Sequence, residues 1–213
     1  MNLDKEIANL KQLTLKMAEQ VMDNLSTAVE VYYHYDEDKA KLINDDVVDA
    51  HERLIEETCL NIMLRERPYA SDLRVVSGIL KLVEDLERLG DHAEDIDNFA
   101  RRLKDVDHHQ VPLLDEAYKE AMKMVFDSIT AFMNDDVELA NKVINGDDKV
   151  DSLYDQCLDY IIEKEEKGEF TSKFTVYTTL VIKYIERIAD HAVNVAEWVI
   201  YITNGYHKDK QIF

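Results

Sequence analysis

The sequence predicts an all-α protein of six helices, which form two pseudo-symmetric antiparallel three-helix bundles. The chain of 213 residues has 5 glycines and 2 prolines, too few for the many tight turns of a sandwich or barrel. Apolar residues recur at helical spacing over long stretches. The pattern Glu-Arg-x-x-Asp-His-Ala starts at Glu87 and again at Glu186, 99 residues later, which indicates an internal duplication.

The first half contains three predicted helices. Polar residues 36–38 separate the first two, and Pro68 separates the second from the third because proline stops a helix. The predicted ranges are residues 3 to about 35, a second helix that ends near 67, and about 69 to 103.

The second half repeats this arrangement. Pro112 opens its first helix, residues 135–136 form a break, and Gly168 ends the second helix. The Asn204-Gly205 pair suits the end of the last helix, since both residues tolerate the left-handed conformation. The predicted ranges are residues 112 to about 134, around 147 to 167, and about 170 to 203. No segment predicts β structure.

Residues 104–110 lack periodicity and are interpreted as the linker between the halves. The two repeats are therefore assigned to residues 1–106 and 107–213. His108 and His109 in the linker are expected to be solvated.

The chain is strongly acidic, with 45 Asp and Glu against 25 Lys and Arg, a net charge of −20. Such a charge disfavours binding to nucleic acid and to anionic lipid surfaces. It also disfavours direct binding of phosphate without a bridging cation. The expected partners are metal ions and basic protein surfaces.

The sequence predicts a cytoplasmic protein that does not insert into a membrane. The first residues lack the apolar segment of a signal peptide, and no run approaches the roughly 18 apolar residues of a membrane span. Cys59 and Cys157 lie within helical patterns and are predicted to be small buried side chains.

Carboxylates recur on one face of the third predicted helix, where each residue turns by about 100°. Four of them fall within about 80° and point away from the apolar residues of the same helix. The second half repeats this geometry with two replacements, Lys183 for Glu84 and Asn194 for Asp95. The two stripes consist of Glu84, Glu87, Asp91 and Asp95, and of Lys183, Glu186, Asp190 and Asn194.

A further acidic stripe lies on the preceding helix of each half. The first-half stripe spans about 60° of the helix surface, whereas Tyr154 and Leu158 interrupt the second-half stripe. The acidic members are Asp45, Asp49, Glu52 and Glu56, and Asp147 and Asp151.

Like charges at this spacing destabilise a helix by about 0.2–0.5 kcal/mol per pair, and a cation held between them reverses the effect. Carboxylate oxygens suit Mg²⁺, Ca²⁺, Mn²⁺ or iron, which makes the stripes candidate metal sites. The alternative is a solvated acidic face, on which Arg88 and Arg187 form surface ion pairs. His92 and His191 lie about 100° from the stripes, which favours a structural or hydrogen-bonding role.

Three segments resemble the PhoU family of phosphate-uptake regulators: Pro68–Arg74, Leu86–Ala93 and Glu186–Trp198. The resemblance implies two three-helix bundles in a cytoplasmic homodimer, held at the inner face of the membrane through partner proteins. It also implies a negative regulator of the phosphate ABC transporter and of a phosphate-sensing histidine kinase. Multinuclear iron or zinc is implied on the acidic surfaces, with manganese and magnesium left open.

The resemblance also implies which residues bind the metals. Tyr154, Lys183 and Asn194 remove charge from the second set, so the first site is predicted to be richer in ligands and tighter. The implied ligands are Glu87, Asp91, Asp95, Asp45 and Asp49 in the first half, and Glu186, Asp190, Asn194, Asp147 and Asp151 in the second.

Two alternative functions remain open. One is a carboxylate-bridged metalloenzyme of a helical bundle, and the other is a metal-free accessory protein of a different phosphate transporter. The sequence contains no Gly-rich phosphate loop and no plausible nucleophile–base pair, so we predict that the protein is not an enzyme.

Overall fold

The computed structural model describes residues 3–208 and 210–211. The helices are α1 (Leu3–Tyr33), α2 (Glu37–Ala40), α3 (Asp45–Arg65), α4 (Ala70–Leu103), α5 (Leu114–Asn134), α6 (Val137–Glu166) and α7 (Ser172–Asn204), followed by the strands β1 (Tyr206–His207) and β2 (Lys210–Gln211). Six long helices dominate the fold, and α2 is a single turn. The all-α prediction is therefore confirmed.

A single helical turn, α2, and a two-stranded hairpin, β1 with β2, were not predicted from the sequence. Asp36 caps α2, because its side chain accepts hydrogen bonds from the backbone N–H groups of Asp38 and Lys39. β1 and β2 pair antiparallel, with Tyr206 opposite Gln211, so the prediction that no segment forms β structure is wrong here. Both elements are too short for a hydrophobic period to be visible.

Helix α6 begins at Val137, well before the predicted start around residue 147. Asp135 adopts the left-handed conformation (φ 52°) and ends α5, and Asp136 accepts a hydrogen bond from the Leu139 N–H and starts α6. In the second half these two residues form the whole connection between α5 and α6. The equivalent connection of the first half, between α1 and α3, spans residues 34–44. Gly205, with φ of 80°, ends α7 as predicted.

Each half is a three-helix bundle. Helix α1 packs against α3 and α4, and α5 packs against α6 and α7. The halves meet mainly where α4 packs against α7, a contact that we call the seam. Buried residues of both halves form one continuous hydrophobic core, which includes the free cysteines Cys59 and Cys157 as predicted.

The seam is tightly packed at Gly78. A Cβ atom at this position would lie 2.3 Å from Cγ1 of Ile202, so a side chain there would push α4 away from α7. The Ser77 and Tyr201 hydroxyls lie 3.2 Å apart beside this contact. Glycine therefore sets how closely the halves approach.

The segment between the halves packs against both of them. The His108 ring lies 4.9 Å from the Tyr32 ring of the first half and 5.6 Å from the Phe174 ring of the second, although the side chain is exposed as expected. The His109 ring lies 4.8 Å from the Phe170 ring and 5.2 Å from the Phe174 ring, so it is only partly exposed although it was expected to be solvated. Among the described residues, no helix is long and apolar enough to cross a bilayer.

Candidate metal centre

The predicted acidic stripes of the first half face each other across the groove between α3 and α4. We call Asp45, Asp49, Glu52, Glu87 and Asp91 the first acidic cluster. One carboxylate oxygen from each of Asp49, Glu52 and Glu87 lies within 4.8 Å of the other two, a spacing that one cation can bridge. All three side chains are half-buried.

The position of Asp45 depends on the glycine of the motif. A Cβ atom at Gly90 would lie 2.8 Å from Oδ1 of Asp45, so the space that a side chain would fill is occupied by this carboxylate. Asn44 fixes the start of α3, because its side chain accepts a hydrogen bond from the Val47 N–H. Oδ1 of Asp45 is buried and has no hydrogen-bond partner.

The first acidic cluster is short of positive charge. Burial, reinforced by neighbouring carboxylates, raises the pKa of Asp45 to about 6 and that of Glu52 to about 7. The same causes raise the pKa of Glu87. Arg88 provides partial compensation, with Nη1 2.8 Å from Asp91 and Nε 3.4 Å from Glu87. Arg88 itself is largely exposed, so its compensation is screened by water.

The second half repeats the arrangement between α6 and α7. We call Asp147, Asp151, Glu186 and Asp190 the second acidic cluster. Burial, followed by the charges of Asp151, Asp190 and Glu186, raises the pKa of Asp147 to about 6. Oδ1 of Asp147 is also buried without a hydrogen-bond partner, as at the equivalent Asp45.

The second acidic cluster has fewer oxygen ligands. Tyr154 occupies the position equivalent to Glu52, and Lys183 places Nζ 2.5 Å from Oε2 of Glu186. The same ammonium group lies 5.1 Å from the centre of the Tyr154 ring. A cation at this cluster would therefore compete with Lys183 for Glu186.

The fourth and last position of each α4 and α7 stripe bonds across the seam. Nδ2 of Asn194 donates to Oδ1 of Asp85 at 3.0 Å, and Asp95 is hydrogen-bonded to Tyr184. Asp85 and Tyr184 are themselves equivalent positions of the two repeats. The structure thus places both predicted ligands, Asp95 and Asn194, in contacts between the halves.

The two motif histidines also meet at the seam, 5.2 Å apart between ring centres. His191 shares Asp85 with Asn194, since its Nδ1 lies 2.8 Å from Oδ1 of Asp85. His92 is 7% exposed, and neither of its nitrogens has a hydrogen-bond partner. Burial, followed by the charges of His191 and the nearby arginines, lowers the pKa of His92 to about 3. His191 therefore has the predicted hydrogen-bonding role, whereas His92 packs in the seam without a hydrogen-bond partner among the described residues.

The donor chemistry of both clusters fits a cation. The half-buried carboxylates have raised pKa values, and each cluster keeps a buried oxygen unpaired. A buried polar atom without a partner is costly unless a bound species completes it. Oxygen-only ligands favour magnesium, calcium, manganese or iron over zinc, which is bound more often by nitrogen and sulfur.

Sequence reasoning undervalued two residues. Glu52 lies on the predicted α3 stripe but not among the ligands implied by the resemblance, and the structure places it beside Glu87. The sequence did not point to Asp85 as a functional residue. The equivalent position of the second repeat is Tyr184, so Asp85 is not part of the repeated motif.

The family model for the PhoU domain matches the chain twice, over residues 14–99 and 114–199. The chain belongs to the PhoU family. Each matched range contains two acidic stripes, one on each of two neighbouring helices. The two acidic clusters are therefore equivalent parts of two PhoU domains.

Curated PhoU relatives match this chain over nearly its full length. The phosphate-specific transport system accessory protein PhoU homolog of Aquifex aeolicus is 36% identical over 215 residues, covering 96% of this chain and 94% of the relative. The phosphate-specific transport system accessory protein PhoU of Escherichia coli is 30% identical over 205 residues, covering 94% and 84%.

Solved PhoU structures share the fold. The phosphate transport system regulatory protein PhoU from Streptococcus pneumoniae has a TM-score of 0.90 at 27% identity, covering 98% of this chain and 100% of that one. PhoU from Pseudomonas aeruginosa has a TM-score of 0.90 at 30% identity, covering 96% and 100%.

Proposed function

We propose that this PhoU-family protein is a negative regulator of high-affinity phosphate uptake and of the phosphate-starvation two-component response. It acts by binding the phosphate ABC transporter and its histidine kinase. The active form is a cytoplasmic homodimer, and each chain consists of two repeats, residues 1–106 and 107–213. Through these partners it lies at the inner face of the membrane. The names of the relatives, accessory and regulatory proteins of phosphate transport, support this proposal.

The observation that carries the metal-dependent part of the proposal is the pair of acidic clusters with unpaired buried oxygens. The residues that would hold metal are Asp45, Asp49, Glu52, Glu87 and Asp91 in the first half, and Asp147, Asp151, Glu186 and Asp190 in the second. Metal supplies positive charge that neutralises the carboxylates. The surface that the chain presents to a partner is then less acidic. A different partner surface, with less positive charge, becomes complementary to it.

A metalloenzyme is the weaker alternative. Such an enzyme needs an acid or base beside an open coordination position. The motif histidines, His92 and His191, instead contact each other and Asp85 at the seam. A metal-free accessory protein of another phosphate transporter leaves the unpaired oxygens of Asp45 and Asp147 unexplained.

The test compares chelated and manganese- or iron-loaded protein for binding to the purified transporter and kinase. We expect partner affinity to change by about tenfold between the two states, a usual size for coupling between sites. Equal affinity in both states would refute the metal switch. Failure to bind either partner would refute the regulatory mechanism.

Matched variants test whether the two clusters differ. Glu87→Gln with Asp91→Asn removes charge from the first cluster without changing shape, and Glu186→Gln with Asp190→Asn does the same in the second. We expect the first pair to lose more metal by mass spectrometry, because Lys183 already weakens the second cluster. Greater loss from the second pair would contradict the predicted order of affinity.

A further inference from the structure

A cavity of about 710 Å³ lies at the seam between the two acidic clusters. We call it the seam cavity. Its lining includes Arg88 and Arg187, the arginines of the two motif copies, and Lys208 from the turn between β1 and β2. The proposed metal sites use the carboxylates of the motif, and His191 bonds to Asp85 at the seam. Arg88 partly compensates the charge of Asp91 and Glu87, whereas Arg187 has no assigned role.

We propose that the seam cavity binds inorganic phosphate, in its hydrogen phosphate form, between Arg88 and Arg187. This proposal rests on the proposed function, since it names phosphate as a ligand of a phosphate regulator and places it between the proposed metal sites.

The cations of the seam cavity are suited to an oxyanion. A guanidinium group presents a planar fork of N–H donors that matches two oxygens of a phosphate. Arg187 lies 5.1 Å from the centre of the Tyr184 ring, and the described part of the chain offers it no carboxylate within ion-pair distance. Four carboxylates line the seam cavity beside these three cations, and Lys208 lies 3.4 Å from one of them, Glu197. The other three are Asp91, Asp95 and Asp190. Since Asp91 and Asp190 are proposed metal ligands, bound metal would leave the three cations in excess of the two remaining carboxylates.

A carboxylate of the same lining selects the protonated anion. Asp95 also lines the seam cavity and is not one of the proposed metal ligands, and its carboxylate oxygens can accept a hydrogen bond from the hydroxyl of hydrogen phosphate. Sulfate has the same shape but no proton to donate, so these oxygens repel it. A site built on hydrogen bonds strongly rejects an analogue that leaves them unmade.

The polar lining of the seam cavity does not suit a nucleoside. Among the described residues that line it, Val193 is the one aliphatic side chain, and a base needs more apolar surface than this. Water fills the remaining volume around a phosphate.

His92 provides a second observation that points to a ligand. Its ring lines the cavity, is more than nine-tenths buried, and has two nitrogens without a protein partner. Buried polar groups in folded proteins are nearly always hydrogen-bonded, to protein or to ordered water. A hydrated anion in the cavity supplies the missing polar neighbour.

Metal loading strengthens phosphate binding through Arg88. This guanidinium group now bonds to Asp91 and Glu87, both proposed metal ligands. When those carboxylates bind metal, the donors of Arg88 become available to the seam cavity, and the walls lose negative charge. Phosphate in turn must raise metal affinity by the same factor, because coupling between sites is reciprocal.

Equilibrium dialysis with radiolabelled phosphate tests the proposal on the full chain. Manganese titration without phosphate comes first, and phosphate is then measured on manganese-loaded and on chelated protein. We expect one phosphate per chain, bound about tenfold more tightly when manganese is present, with sulfate a poor competitor.

Arg187→Gln is the decisive variant, because this residue contacts neither acidic cluster through an ion pair. We expect it to weaken phosphate binding by about tenfold or more and to leave manganese affinity unchanged. Arg88→Gln should weaken both. Arg102→Gln, an exposed position on the last turn of α4, is the matched control and should change neither. Circular dichroism confirms that each variant is folded.

Three results would overturn the seam site. These are no phosphate binding to manganese-loaded protein, full binding in Arg187→Gln, which would place phosphate on the metal alone, or equal competition by sulfate. If manganese fails to bind but phosphate binds and depends on Arg187, the metal part of the proposed function fails and the seam site stands. If neither binds, both fail.

Discussion

At the scale of single residues, the absence of a side chain at Gly90 lets the first acidic cluster close. A Cβ atom there would lie 2.8 Å from Oδ1 of Asp45 and 3.0 Å from Cγ1 of Val48. The end of the Asp45 side chain can rotate away, so Gly90→Ala should still fold. We expect its free energy of unfolding to fall by about 1–3 kcal/mol at most. We expect the displaced carboxylate to weaken the first metal site, measured by manganese titration.

The second half provides the control for this substitution. Ala189 occupies the position equivalent to Gly90, so Ala189→Gly should leave metal affinity of the first cluster unchanged. Unaltered first-site affinity in Gly90→Ala would show that Asp45 is not a ligand.

The raised pKa values predict how pH changes the benefit of metal. Asp45 and Asp147 have pKa values of about 6, and Glu52 of about 7, above their unfolded values. The folded state therefore holds more protons between about pH 4 and 7, and these groups contribute less stability as pH rises through that window. His92, with its pKa lowered to about 3, acts in the opposite direction in both metal states.

The gain in Tm on adding metal reports on the carboxylates alone, because the effect of His92 is the same with and without metal. Metal binds the ionised carboxylates, so we expect a larger gain at about pH 7.5 than at about pH 5.5. The measurement is thermal unfolding by circular dichroism with and without manganese. A gain that is equal at both pH values would show that these carboxylates do not bind the metal.

At the scale of helices, Asp85 on α4 links to two residues of α7. It is 13% exposed and bonds to both His191 and Asn194. Asp85→Ala leaves two donors at the seam without their partner, which should destabilise the protein by about 1–3 kcal/mol. Thermal unfolding measures this loss.

The pseudo-symmetric side of the seam supplies a comparison. Tyr184→Phe removes one hydroxyl, the partner of Asp95, and keeps the ring against His92. We expect a smaller loss than for Asp85→Ala. If the two variants lose the same stability, the shared bonds of Asp85 contribute little to the seam.

The helices and the facing acidic stripes could be predicted because both follow from helical periodicity. The start of α6 could not, since the two-residue turn at Asp135 and Asp136 depends on a left-handed residue and a cap rather than on apolar spacing. Spacing also places residues on a face without saying which neighbour covers it. Asp95 and Asn194 continue their stripes, yet their side chains contact Tyr184 of α7 and Asp85 of α4 across the seam.

At the scale of the whole molecule, one continuous core and the seam should make the two halves unfold together. Trp198, the one tryptophan of the sequence, reports on the second half, where its ring stacks on His207 at 3.9 Å. Circular dichroism reports on helices of both halves. We expect urea curves from the two probes to coincide, whereas separate transitions would show that each half folds by itself.

The bonds across the seam also restrict how the two halves can diverge in evolution. Asp85 faces Asn194 and Tyr184 faces Asp95, so each repeat supplies a different member of each pair. A protein built from two copies of the first half would bring Asp85 against Asp95 twice, a repulsion between carboxylates that this chain avoids. A substitution at one of these positions therefore requires a matching change about a hundred residues away, in the other half.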